Sequence, residues 1–309
     1  MALDTMTNRS PGDSITASDW ETIRTNIAKI EGTASESTTE GYGLAGQISY
    51  GSARTAGLTI TDTDTNTLIN AVQDLAVYTG ATNNISDVSD GSVIQETDLN
   101  NTQSTINNIY SVRNNAISTY LTQEAKQTSN RTTSWSTTVT HDVSIQFKDG
   151  EGLATLGRPA LFNAGGSIYF TASRSGGSST DQNTDWTNML SAIGTVKMNF
   201  TQVTASSGTT TSLGMYDLTT SYQTIFEKAG SGSYSTNYYK IQAQAPNSSS
   251  IRFLITFGDS HTGRGYFDSV DGTLSSVVGV FRPNSGTLPN GNTVALSGEF
   301  FQFVGNSGL

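Results

Sequence analysis

The stretch GDSITASDWETIRTNIAKI, Gly12–Ile30, decides how the first third of the chain is read. An isoleucine is followed by hydroxyl residues, then Asp19-Trp20, then Ile23, Ile27 and Ile30 at the spacing of one helical face. The same opening returns as GLTITDTDTNTLINAVQDL from Gly57 and as GSVIQETDLNNTQSTINNI from Gly91. Aligned on their glycines, Gly12, Ile15, Ser18, Asp19, Glu21, Ile27 and Ile30 match Gly57, Ile60, Thr63, Asp64, Asn66, Val72 and Leu75. The third set is Gly91, Ile94, Thr97, Asp98, Asn100, Ile106 and Ile109. General capping rules account for a hydroxyl residue before Asp at any helix start. They do not account for a glycine and an isoleucine at fixed places ahead of that pair three times over. The stretch therefore reads as the first of three strand-turn-helix units. The glycines lie 45 and 34 residues apart, which suits units joined by loops of variable length better than a regular solenoid.

The pattern predicts helices over 18–31, 63–78 and 97–127. Ser18, Thr63 and Thr97 are the expected N-caps, and Ser18 with Glu21 has the spacing of a capping box. The aspartate in each first turn suits the helix dipole. Ile106, Ile109, Tyr110, Ile117 and Leu121 extend the apolar face of the third helix. Residues 32–57, poor in bulky groups, read as a long loop.

Working outward, the 309 residues allow two domains. Charged residues make up 14% and hydrophobic ones 34%, with Ser, Thr, Asn and Gly filling the difference. A chain with so few long aliphatics suits short strands, tight turns and burial against identical copies. The net charge of −10 and the scattered basic residues argue against binding a phosphate backbone. There is no cysteine, hence no disulfide, thiolate metal site or cysteine nucleophile. The N-terminus MALDTMTNRSPGDS lacks an apolar run, so no signal peptide is expected. No apolar stretch is long enough to predict a membrane span.

From residue 135 the character changes. WSTTVTHDVSIQFKDG places Trp135, Thr137, Val139, His141, Val143, Ile145 and Phe147 on one face of a strand, with Asp149-Gly150 as a turn. Further strands are expected at 166–174, 194–203, 237–245, 250–259, 275–282 and 298–304. One helix, 184–194, is expected between them, with Thr184 as cap and Gly194 as stop. The predicted class is a multidomain α+β chain. Helical repeats over 1–134 (units 12–31, 57–78 and 91–127) precede an antiparallel β-sandwich or jelly roll over 135–309.

Candidate chemistry is sparse. His141 falls on the apolar face of a strand and reads as a buried, hydrogen-bonded histidine. His261 lies near Asp259, Ser260, Arg264 and Asp268, but neighbours in one loop do not make a nucleophile–base–orienter chain. DQNTDW from Asp181 opens like a calcium loop, yet Trp186 and Ala192 stand where glycine and glutamate are needed. DTDTNT from Asp62 fails in the same way, at Thr67 and Gln73. NAGGS at 163–167 leads into a strand, so it lacks the helix N-terminus of a phosphate site. No catalytic residue, metal or cofactor is expected.

The block FNAGGSIYFTASRSGGSSTDQNTDWTNMLSAIGTV, 162–196, resembles a domain of virion structural proteins from tailed phages of marine bacteria, cyanophages above all. The resemblance runs on through YDLTTSYQTIFEKAGSGSYSTNYYKIQAQA, 216–245, and VDGTLSSVVGVFRP, 270–283. ITASDWETIRTNI, 15–27, is similar to N-terminal repeats in the same proteins. It implies a tail-fibre-like or neck-associated virion component, not an enzyme, and brings no catalytic residues.

The expected function is thus structural, through symmetric protein–protein assembly, in a virion made in the bacterial host cytoplasm. The expected partners are other copies of the chain, other virion proteins and a host surface. Trp20, Ile23, Ile27 and Ile30 are the candidate assembly contacts. The alternative is a receptor- or glycan-binding module using Trp186, Tyr238 and Tyr239, with Tyr234 nearby. A host-surface hydrolase is a third reading.

Overall fold

A computed structural model describes residues 2–32, 41–148, 157–261, 269–296 and 300–309. The expected turn at Asp149-Gly150, and Arg264 and Asp268, lie outside the described residues. Among those described, the chain is α+β, with five helices and three antiparallel sheets. The helices are α1 (Ala17–Glu31), α2 (Asp62–Thr79), α3 (Glu96–Val112), α4 (Gly157–Asn163) and α5 (Asp181–Ile193). The strands are β1 (Gly46–Gln47), β2 (Leu121–Arg131), β3 (Val139–Phe147), β4 (Ser167–Ser175), β5 (Thr195–Met198) and β6 (Val203–Thr204). They continue with β7 (Thr209–Thr210), β8 (Gln223–Ala229), β9 (Tyr238–Asn247), β10 (Ser250–Gly258), β11 (Thr273–Pro283), β12 (Thr293–Val294) and β13 (Phe301–Ser307). No described helix is long and apolar enough to cross a membrane.

Two compact units result. One comprises 1–122, 159–166 and 282–297, and the other 123–158, 167–281 and 298–309. This differs from a single boundary at 134/135, and the third helix supplies one reason. It ends at Val112, not at 127, and Leu121 opens β2. The Arg113 guanidinium donates to the Tyr110 carbonyl at 2.7 Å, occupying a terminal acceptor of the helix. Asn114 turns its amide away to the Asn163 carbonyl, 3.1 Å. The apolar spacing that continues through Ile117 and Leu121 is not used by the helix: Ile117 is exposed and Leu121 belongs to β2.

The other reason is that two later segments fold with the first unit. Asn163 donates to the Gly41 carbonyl at 2.9 Å, and the Tyr78 hydroxyl donates to the Ala164 carbonyl at 2.5 Å. Gly165 has φ +81°, and a Cβ there would fall 2.5 Å from the Ala116 nitrogen, so only glycine lets the chain pass. The 282–297 segment is held by Asp74, a fully buried carboxylate on α2. It accepts from the Asn290 amide (3.0 Å), the Asn292 amide (3.2 Å) and the Asn292 side chain (2.8 Å).

Helices α1, α2 and α3 all touch one another. The caps sit two residues earlier than expected. They are Thr16, Thr61 and Gln95 rather than Ser18, Thr63 and Thr97, and the Ser18–Glu21 box is replaced by Thr16–Asp19.

In the second unit the larger sheet runs β13-β3-β10-β9-β8-β7 and the smaller β2-β11-β4-β5-β6. Strand β3 shows the alternation read from sequence, with His141, Val143, Ile145 and Phe147 fully buried. The two sheets meet through Phe170 of β4 and Phe253 of β10, ring centres 4.9 Å apart. They meet again where His141 Nδ1 shares a 2.9 Å hydrogen bond with Ser276 Oγ of β11. Helix α5 starts three residues before the expected 184, capped by Thr180 rather than Thr184, and stops at Gly194. It delivers Trp186 against Trp135 (4.9 Å) and Phe257 (6.3 Å).

Candidate functional site

The first unit carries the most organised surface feature, built from the three turn–helix segments. Each begins with a four-residue turn: the Asp13 amide donates to Ser10, Leu58 to Thr55 and Ser92 to Ser89, at 3.0, 3.1 and 3.0 Å. The third residue of each turn is glycine at positive φ: Gly12 (+95°), Gly57 (+92°) and Gly91 (+73°). That is the position a type II turn reserves for glycine. Each helix then opens with an aspartate reaching back to the cap amide. Asp19 accepts from Thr16 (2.8 Å), Asp64 from Thr61 (3.1 Å) and Asp98 from Gln95 (2.8 Å). The recurring aspartate is the third helical residue closing a capping box, more than a favourable charge in the first turn.

The residue nine places after each glycine holds the chain three places before another glycine. Asn100 of α3 takes both backbone groups of Arg9, donating to its carbonyl (2.9 Å) and accepting from its amide (3.0 Å). Asn66 of α2 does the same to Val88, at 2.9 and 2.8 Å. Glu21 of α1, a carboxylate and so an acceptor only, takes the Arg54 amide. The order is cyclic: the first segment is gripped by the third helix, the second by the first, and the third by the second. Arg9 and Arg54 also fold over their own turns to pair with Asp19 (2.6 Å) and Asp64. Val88, buried, takes that place in the third segment.

Positions that align in sequence also meet in space. Ile15, Ile60 and Ile94 surround the mouth of a small cavity of about 20 Å³. Below them Trp20, Thr65 and Leu99 line it, then Ile23, Leu68 and Thr102. The further aligned residues Ile27, Val72 and Ile106, and Ile30, Leu75 and Ile109, are all buried. Around the mouth the turn tips form a crown. Val93 on one tip is 81% exposed and Leu58 on another 54%. The first tip offers Asp13 and Ser14 instead.

The crown is acidic. Residues 9–19, 54–64 and 88–98 contain seven carboxylates and two arginines, a net −5. Burial pushes the Asp19 carboxyl up, but hydrogen bonds from Arg9 and Thr16 outweigh it and hold the group below its ordinary value. Asp64 follows the same balance: burial raises it, and Thr61 and Arg54 bring the net shift down. Two of the seven carboxylates are thereby committed to internal ion pairs.

The chain matches no family model, and no curated protein or solved structure is significantly similar to it.

The residues singled out from sequence divide as follows. Trp20, Ile23, Ile27 and Ile30 are core residues of the first unit, each no more than 4% exposed. They hold its own helices together, and burial keeps them from meeting another molecule directly; only Trp20 and Ile23 reach the cavity wall. Trp186 and Tyr239 are likewise buried, so neither presents a face for a sugar to stack on. Tyr238 is half-buried; its ring lies over Gly258, and the Lys240 ammonium sits 5.0 Å from the ring centre. Asp185 accepts from the Ser231 amide at 3.1 Å, so it anchors that turn. Among the described residues no cluster of three or more His, Asp or Glu is placed to hold a metal. The clamp residues Glu21, Asn66 and Asn100 stood in the alignment, but one helix viewed alone made Glu21 half of a capping box with Ser18 and left the two asparagines without a task.

Proposed function

We propose that this chain is a structural subunit of a tailed-phage virion, associated with the tail, neck or fibre, and works by repeated protein–protein contact. The observation that carries the reading is the first unit's cyclic clamp, ending in a crown with exposed apolar tips. Leu58 and Val93 each lie beside Ile15 and Ile94, and exposed apolar side chains grouped in this way gain by being covered. In this reading residues 1–122 hold three repeats of one turn–helix unit. The corresponding hydrogen bonds and the cavity shared by aligned residues support that. The β-rich unit is read as a sandwich, supported by the Phe170–Phe253 and His141–Ser276 contacts between its sheets. The resemblance of 162–196, 216–245 and 270–283 to virion proteins supplies the kind of particle. Its partners are other copies of the chain and other virion proteins, brought together after synthesis in the host cytoplasm.

Quantitative mass spectrometry of purified particles, followed by electron microscopy with an antibody to the chain, tests the proposal. A fixed copy number per particle is expected. A chain made during infection but absent from particles refutes it.

A further inference from the structure

We infer that the crown is a receptor for one apolar side chain carried on a basic segment of another protein. This deepens the assembly reading by naming the partner's chemistry, and it rests on that reading for its setting alone. The cavity ringed by Ile15, Ile60 and Ile94 is about 20 Å³, room for roughly a methyl group or one water. Its walls, Trp20, Ile23, Leu68 and Leu99 among them, are almost wholly apolar, which suits an aliphatic group. Val93 and Leu58 flank the mouth and lie open to solvent, ready to cover the rest of an apolar side chain. The crown's net −5 decides the occupant. A second copy docked crown to crown would bring two like-charged rims together, whereas lysines or arginines beside the inserted side chain meet Asp13, Asp62, Asp90 and Glu96.

The test uses the full-length chain and three dye-labelled synthetic peptides. The first has two leucines flanked on both sides by lysines. The second has serines for the leucines, and the third has glutamates for the lysines. Fluorescence anisotropy should show saturable binding of the first alone, at least about tenfold tighter than either control. That binding should weaken as salt rises from about 0.05 to about 0.5 M. Val93→Ser, an uncharged change at an exposed tip, should cost about tenfold in affinity with the melting temperature unaltered. Equal binding of the three peptides, or no effect of Val93→Ser, overturns the inference. So does self-association in sedimentation that Val93→Ser abolishes, because the occupant is then a second copy. The two proposals fail separately. A chain present in particles whose crown ignores the first peptide sinks only the receptor. A chain that binds it but is absent from particles sinks only the virion reading.

Discussion

Asn100→Ala opens one clamp and leaves the other two in place. The wild-type side chain makes two hydrogen bonds to Arg9, 2.9 and 3.0 Å long and partly buried. Each is worth about 1 kcal/mol net, so their loss costs about 2 kcal/mol. Alanine is the better helix former by about 0.5 kcal/mol, which leaves a net loss of about 1.5 kcal/mol. Asn101, its exposed neighbour on α3, provides the control. Asn101→Ala gains the same propensity and loses no clamp, so it should stabilise by about 0.5 kcal/mol. Two adjacent asparagine-to-alanine changes should therefore differ by about 2 kcal/mol, with opposite signs. Urea unfolding compares the totals, and native-state hydrogen exchange locates the change. The Arg9 amide should lose protection by about tenfold or more in Asn100→Ala and stay unchanged in Asn101→Ala. The cyclic order makes the prediction stricter. Asn66→Ala should expose Val88 instead, and Glu21→Ala should expose Arg54. If all three variants loosen the same region, or if Asn100→Ala and Asn101→Ala behave alike, the clamps do not hold the segments.

Asp74→Ala should detach the 282–297 segment, because three donors lose a buried carboxylate; a cost of at least about 3 kcal/mol is expected, with new proteolytic cleavage near Gly291. Ser276→Ala removes a partner of the fully buried His141 ring and should destabilise the second unit by about 1–3 kcal/mol, read from urea midpoints. The lowered Asp19 and Asp64 carboxyls predict a pH signature. Unfolded aspartate titrates near 3.8, so their stabilisation is complete above that value and is lost as pH falls through the lower folded values. Asp19→Asn should thus be less stable than wild type at neutral pH, with the gap closing below about pH 4; a gap that stays constant down to about pH 2 refutes the pairing.

Much of this fold was legible, and what was not had a common cause. Alternation in residues 139–147 announced β3, because one face of a strand must be apolar if it is to be covered. The aligned isoleucines Ile15, Ile60 and Ile94 line one cavity, and the aligned glycines each occupy a turn at positive φ. The caps were misplaced because Thr16 with Asp19 and Ser18 with Glu21 offer the same local pattern two residues apart. Glu21 is engaged by the Arg54 amide, 33 residues away, and that contact is invisible to a local rule. Asp74 carries no local signal of its role, because its partners lie more than 200 residues further along the chain. Trp186 and Tyr239 looked available for a ligand because aromatic residues serve both cores and sites. Only the placement of α5 over the sheet decides between those roles.

The same distinction settles why Trp20 stands alone. It was a candidate assembly contact on sequence, and Thr65 and Leu99 occupy its place in the other segments. Those three side chains share one layer around a single cavity, so their volumes must be complementary rather than equal. A tryptophan on one side is matched by a threonine on another, and three tryptophans would overfill the layer. On the threefold reading, joining the units in one chain lets each take a different residue, which identical separate subunits could not do. The tips differ in the same way, with Asp13 and Ser14 on one and Leu58 and Val93 on the others. If the crown is a docking surface, these differences among its tips let it hold one partner in one pose.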